Sequence, residues 1–147
     1  MKTAKLRNDL QQVIKKCKDS ADIYLWAADN SKSEDLQNAL LLFALKRKNF
    51  IELLRREARK GNIDLFENSS FTGILQKTMH IVIGYIGSTN DDQLIETCRT
   101  AEAKLVDLYD EVLTNEDLPM NLYRLLVEHQ QLILSNLNRL QYVPAHA

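Results

Sequence analysis

The sequence is poor in the residues that break helices. Its 147 residues include only 4 glycines and 2 prolines, most of them at evident breaks between longer stretches. Leucine, lysine, glutamate and glutamine fill the stretches between these breaks, and all four favour helices. The scarcity of turn residues argues against a fold with frequent turns, and the composition predicts a chain that is nearly all helix.

Cysteine is almost absent as well. Cys17 and Cys98 are the two cysteines of the sequence, and no second cysteine lies near either of them. This spacing excludes a zinc knuckle and a paired-cysteine redox motif, because both need closely spaced ligands. We expect both thiols to be buried and reduced.

Neither an excess of one charge nor a long apolar run is present. The 19 basic and 20 acidic residues leave a net charge of -1, so no strong field favours nucleic acid or an anionic membrane as a partner. The longest apolar runs, ALLLFAL and IVIGYI, are far shorter than the ~20 residues of a spanning helix. The start, MKTAKLRNDL, lacks the apolar region of a secretory signal. We therefore expect a soluble, cytoplasmic protein.

The apolar residues that are present recur at steps of three and four. With 45% hydrophobic residues, the chain can bury one substantial core, and we expect a single domain over residues 1–147. Ser33 is a predicted cap, Gly61 a predicted helix end, and Thr89 with Asp92 a predicted capping box. The predicted helices cover residues 4–29, 34–60, 71–86, 90–113 and 119–142.

The connections between the predicted helices indicate a topology. Short linkers join helices one and two and the last two long helices, which predicts two antiparallel hairpins. The stretch from Gly61 to Thr89 is long enough to cross the length of a bundle. We therefore predict an all-α, antiparallel four-helix bundle with a long crossover that contains the short helix.

Four polar side chains fall within the apolar faces when each helix is placed on a wheel of ~100° per residue. Arg47 lies near the centre of the second helix's face, and Glu102 lies at the edge of the next long helix's face. His129 and Asn136 face inward on the last helix. A charge in a core is disfavoured unless it is paired, so we predict an Arg47–Glu102 pair with His129 or Asn136 completing its hydrogen bonds. The alternative is that Arg47 carries its guanidinium out to water.

Helical bundles can also hold two iron or manganese ions, with a glutamate from each of two helices and Glu-x-x-His from each of the others. The matching inward positions hold Ser20 and Ala21, Arg47 and Phe50, and Leu126 and His129. Glu102 and His129 are the two ligand types that remain, and a guanidinium in the ring would repel a cation. The pattern therefore predicts no metal centre and no cofactor, and any metal would have Glu102 and His129 among its ligands.

Other catalytic signatures are missing from the sequence. It contains no glycine-rich phosphate loop, no Gly-x-Ser-x-Gly elbow and no His-Glu-x-x-His motif. His129 is a conceivable general base, but no second reacting group can be named beside it. We therefore predict that the protein is not an enzyme.

Five stretches carry a likeness to a known family. They are IKKCKDSADIYLWAAD, FALKRKNFIELLRREARKGN, SSFTGILQKTM, ETCRTAEAKLVDLYDEVL and EDLPMNLYRLLVEHQ. Over roughly residues 6–142 the chain resembles the bacterial ferritin-like four-helix-bundle proteins of domain-of-unknown-function family 2383. The resemblance implies a ferritin-like fold with a long crossover and no established activity.

The resemblance also bears on individual residues. Arg47, Phe50 and Glu102 fall where the family shows a similar arginine, phenylalanine and acidic residue, which implies a structural role in one internal polar network. Family members often carry an acidic residue where this chain has Ser20 and Ala21. This departure implies that a metal site is still less favoured.

Three functions follow from these patterns. The leading hypothesis is a non-enzymatic bundle that acts through its surface or through self-association. The alternative is a ferritin-like iron or manganese protein, binding or redox, with a degenerate ligand set. A third is an interaction module that uses Leu41, Leu42 and Leu45 on the outer side of helix two, unless the crossover covers them.

Overall fold

The computed structural model describes residues 2–66 and 90–142, which form four long helices and contain no strand. This confirms the predicted all-α four-helix bundle. The predicted helix at 71–86 lies outside the described residues. The helices are α1 (Lys2–Asn30), α2 (Glu34–Lys60), α3 (Asp91–Leu113) and α4 (Met120–Tyr142).

Local hydrogen bonds explain where α2 begins and ends. The Ser33 side chain accepts from the backbone N–H of Leu36, which is the predicted cap. At the other end Asn62, and not Gly61, adopts the left-handed conformation, with φ of 63°. The N–H groups of Asn62 and Ile63 then bond back to carbonyls of the last turn, a Schellman arrangement that satisfies free helix acceptors.

The start of α3 differs by one residue from the prediction. Asn90 is the cap, and its side chain accepts from the backbone N–H of Gln93 at 2.9 Å. The Gln93 side chain accepts in return from the backbone N–H of Asn90 at 3.1 Å. This reciprocal capping box replaces the one predicted for Thr89 and Asp92, because asparagine is a better N-cap residue than threonine and Gln93 completes the box.

Contacts at the helix ends set the helix directions. The end of α3 lies beside the start of α1, where the Asn115 amide donates to Asp9 at 3.0 Å. The start of α4 lies beside the end of α2, where the Asn121 amide donates to Glu57 at 3.1 Å. Each helix packs on two neighbours and runs antiparallel to both, in the order α1, α2, α4, α3 around the bundle.

Helices α2 and α3 lie on a diagonal and run parallel. Both begin at the same end, where the Asp91 carboxylate accepts from the backbone N–H groups of Lys32 and Ser33 at 2.9 and 3.1 Å. The chain between Lys60 and Asp91 therefore connects opposite ends of the bundle. Its first residues lie beside α1, where the backbone of Phe66 exchanges two hydrogen bonds with the Gln11 side chain.

The apolar core consists of two clusters with a polar layer between them. One cluster fills the end of the bundle around Leu10, Leu54 and Leu126. The other fills the opposite end around Leu36, Leu40 and Leu94. The buried polar side chains of the helix centres lie between them, so this layer is where a functional site would be sought. No helix within the described residues is both long and apolar enough to cross a membrane.

Candidate functional site

The centre of the bundle holds a buried ion pair that joins the diagonal helices. Arg47 on α2 donates through Nη1 to Glu102 Oε1 at 2.7 Å and through Nη2 to Oε2 at 2.6 Å. Arg47 is 1% exposed and Glu102 is 0% exposed. Such a planar, two-bond match of guanidinium and carboxylate is the strongest form of a side-chain ion pair.

Helix α1 completes the hydrogen bonds of the guanidinium. Arg47 Nη1 also donates to Ser20 Oγ, and the Ser20 hydroxyl donates to the backbone carbonyl of Cys17 at 2.9 Å. Ser20 therefore accepts one bond and donates one bond while it is buried. The position that a metal-binding bundle would give to a carboxylate is used here to hold an arginine.

A second chain of polar contacts adjoins the ion pair. Cys17 Sγ lies 3.3 Å from the Tyr109 hydroxyl oxygen, and that oxygen lies 2.6 Å from His129 Nδ1. The His129 ring stacks on Phe50, with ring centroids 3.4 Å apart and planes 9° apart. The contacts link α1, α3, α4 and α2 at one level of the bundle, so all four helices contribute to the layer.

Tyr24 closes the other side of the layer. The Arg47 Cζ atom lies 5.8 Å from the centroid of the Tyr24 ring, within the range of a cation–π contact. The buried Tyr24 hydroxyl lies near Glu102 but forms no hydrogen bond of good geometry with the described residues. Burial, followed by the negative charge of Glu102, raises the pKa of this hydroxyl, which keeps it neutral.

Burial keeps the reactive groups of the layer neutral. It raises the pKa of the Cys17 thiol to about 11, although Arg47 acts in the opposite direction. It raises the pKa of the Tyr109 hydroxyl and, together with the charge of Arg47, lowers the pKa of His129 well below 6.5. Burial alone would lower the pKa of Arg47, but hydrogen bonds and charge from Glu102 raise it. The layer thus contains one matched ion pair beside a neutral thiol, two neutral phenols and a neutral imidazole.

The structure brings some of the predicted residues together and separates others. Arg47 and Glu102 are in contact, and the alternative in which Arg47 reaches water is wrong. Glu102 faces the bundle centre and not the edge of its helix face. His129 is buried but bonds to Tyr109, so Ser20 and not His129 completes the hydrogen bonds of Arg47.

Asn136 does not join the network. It is half-buried on a cleft between α2 and α4, and it makes no hydrogen bond with the ion pair among the described residues. Its inward position was predicted from a helix wheel, which assumes that the neighbouring helix covers the whole face. Helices α2 and α4 make the least extensive contact of the four neighbouring pairs, and this assumption fails there.

The network also contains residues that the sequence did not mark as functional. Cys17 was expected to be buried and Ser20 to point inward, but neither was assigned a polar partner, and Tyr24 and Tyr109 were not singled out. A signal was available, because each has a hydrogen-bonding group that must be satisfied when it is buried. The sequence does not say which of them meet.

The donor set does not fit a di-metal centre. Both carboxylate oxygens of Glu102 accept from Arg47, and the Nδ1 atom of His129 is engaged by Tyr109. Within residues 2–66 and 90–142, no three histidine, cysteine, aspartate or glutamate side chains form a group that could hold a metal ion. A guanidinium at the centre of the layer also repels a cation.

A comparison with protein families places the chain. The model of the family described as Domain of unknown function (DUF2383) matches residues 5–115. The chain belongs to the DUF2383 family. No curated protein and no solved structure matches it.

The DUF2383 match covers most of the polar layer. Arg47, Glu102, Ser20 and Tyr109 lie within the matched residues, whereas His129 on α4 lies beyond them. The family description assigns no function to these residues.

Proposed function

We propose that this DUF2383 protein is a non-enzymatic, cytoplasmic bundle of ferritin-like topology that acts through its surface by associating with a second copy of itself. The observation that carries the proposal is the outer face of α2. Leu41, Leu42 and Leu45 are 42%, 45% and 57% exposed there. Large apolar side chains grouped on one outer face are typical of a surface that another protein covers.

The chemistry of the interior supports a non-enzymatic role. Among the described residues, the two charges of the polar layer, Arg47 and Glu102, neutralise each other, and burial keeps the thiol, both phenols and the imidazole of the layer neutral. A catalytic group instead needs a pKa near the working pH or an activated nucleophile. The parallel diagonal helices α2 and α3, joined by a connection between opposite ends, support the ferritin-like topology.

A second copy is the partner we favour because of the charge balance. The chain carries 19 basic and 20 acidic residues, so two copies repel each other little at long range. A net charge near zero favours association between identical molecules.

Sedimentation velocity over a concentration series tests the proposal. We expect the wild-type protein to move from monomer towards dimer as its concentration rises, and Leu45→Glu to shift this transition to higher concentration. Gln131→Glu adds the same charge at an exposed position of α4 and should leave the transition unchanged. A wild-type monomer at every concentration would reject self-association.

The alternative, an iron or manganese protein with Glu102 and His129 among its ligands, has its own test. Protein purified without chelator and then offered iron(II) or manganese(II) would be assayed for metal by mass spectrometry. We expect no stoichiometric metal, because Arg47 occupies both oxygens of Glu102. Stoichiometric metal that is lost in Glu102→Ala would overturn the proposed function and support the iron or manganese protein.

A further inference from the structure

A cleft of about 370 Å³ lies between α2 and α4, where the bundle is least tightly closed. Its size falls within the ~300–1,000 Å³ that is typical of small-molecule sites. Its walls include Leu53 and Leu132, which are 38% and 61% exposed. Apolar side chains that line a concave surface and remain in contact with water favour an apolar occupant.

The charged side chains of the cleft have one sign. Lys46 from α2 and Arg139 from α4 line it, and no acidic residue does so among the described residues. Both cations are exposed, and neither forms an ion pair within the described part of the chain. The cleft is therefore complementary to an anion.

Along the cleft, Leu132 lies on the same side of the stacked Phe50 and His129 rings as the two cations, and Leu53 lies on the other side. Because their rings stack, Phe50 on α2 and His129 on α4 lie at the same level along the bundle axis. Lys46 lies about one turn from Phe50 towards the start of α2, and Arg139 lies towards the end of α4, which is the same direction. Leu53 lies on the opposite side of Phe50. The distance from Lys46 to Leu53 is about two helical turns, or ~10 Å.

We propose that this cleft binds a medium-chain monocarboxylate, with its carboxylate between Lys46 and Arg139 and its tail along Phe50, Leu53 and Leu132. His129 and Arg47 form part of the floor. Burial and the charge of Arg47 lower the pKa of His129 well below 6.5, and Glu102 neutralises Arg47, so the deep part of the site adds no net charge. The occupant combines one negative charge with a linear apolar tail, which matches the order of the side chains. None of the residues Leu41, Leu42 and Leu45 lines this cleft, and the proposal does not rest on self-association.

Calorimetric titration with decanoate below its micelle concentration tests the proposal. We expect saturable binding at one site per chain, and binding weaker by about tenfold in Lys46→Gln and in Arg139→Gln, because each removes one of two cations that contact the carboxylate. Leu53→Asn should weaken binding by shortening the apolar contact. Lys48→Gln removes an exposed cation of α2 that does not line the cleft and should bind like the wild type.

Ligands with altered ends separate this site from nonspecific binding. Decanol keeps the tail without the charge, and acetate keeps the charge without the tail, so both should bind at least tenfold more weakly than decanoate. Equal binding of decanol, equal loss in Lys48→Gln, or no decanoate binding would overturn the proposal. Cosedimentation with anionic vesicles in the absence of decanoate binding would also overturn it and assign the cations to a membrane surface.

Discussion

Removing one partner of the central ion pair should destabilise the bundle. Removing both partners together should cost much less than the sum of the two single losses. In Arg47→Met, Glu102 stays fully buried and loses both donors to its oxygens. Removing one partner of a buried ion pair typically costs about 3–5 kcal/mol, because an uncompensated charge remains in the core. Ser20 also loses a donor, which adds about 1 kcal/mol.

The reverse substitution and the double variant complete the cycle. Glu102→Gln leaves the guanidinium without its counter-charge, so we again expect a loss of about 3–5 kcal/mol. The double variant has no buried charge, and its main defect is an incompletely bonded amide that costs about 1–3 kcal/mol. The two single losses should therefore exceed the double loss by several kcal/mol, whereas independent sites add within about 0.5 kcal/mol.

Urea unfolding followed by circular dichroism would measure the four free energies. Arg99 and Glu96 on α3 supply the control, because they form a pair of the same chemistry at 3.4 Å in which Arg99 is 34% and Glu96 is 69% exposed. Arg99→Met and Glu96→Gln should couple by less than about 1 kcal/mol. Strictly additive losses at Arg47 and Glu102 would refute the argument that the core pair is held by mutual neutralisation.

Three further predictions concern the buried His129, the two buried thiols and the Asp91 carboxylate at the helix ends. Because His129 has a pKa well below 6.5 in the folded protein, the unfolded chain takes up its proton first, so the free energy of unfolding should fall as pH drops below ~6.5, by at most about 1.4 kcal/mol per unit. Unfolding curves of His129→Asn should lack this component. Cys17 and Cys98, with pKa values raised by burial to about 11 and 12, should react with a disulfide reagent only as fast as the bundle opens, and rapid labelling of the native protein would contradict their burial. Asp91→Ala removes two charge-assisted bonds to backbone N–H groups and should lower the urea-derived stability by about 2–3 kcal/mol, against less than 1 kcal/mol for the exposed Glu96→Ala.

Helix positions and inward residues were predictable because both follow from periodicity. Apolar steps of three and four define a face, and caps such as Ser33 mark its limits. The Arg47–Glu102 pair followed from one further argument, that a cation in a core needs an anion in the same core. Thr89 was chosen over Asn90 as a cap because both residue types cap helices, and sequence alone separates neighbouring candidates poorly.

The remaining contacts of the site depend on distances across the bundle, which periodicity does not contain. Cys17, Tyr109 and His129 lie on three helices, and their meeting requires a particular axial register and particular rotamers. Ser20 was interpreted as a missing metal ligand, whereas its hydroxyl oxygen accepts a hydrogen bond from the Arg47 guanidinium. Asn136 was misplaced because the packing of α4 on α2 is loose there.

The place of the ion pair suggests why a charged group is kept in a core that leucine could fill. Among the described helices, α2 and α3 do not pack directly on each other, and the chain joins them only through a connection between opposite ends. Apolar side chains above and below the layer tolerate an axial slip, because their contacts have no direction. A guanidinium bonded to both oxygens of one carboxylate does not tolerate such a slip. A slip of one turn, ~5.4 Å, would break both hydrogen bonds and leave two unpaired buried charges. We infer that Arg47 and Glu102 define the register of the diagonal helices, and that the apolar clusters supply the stability that this register requires.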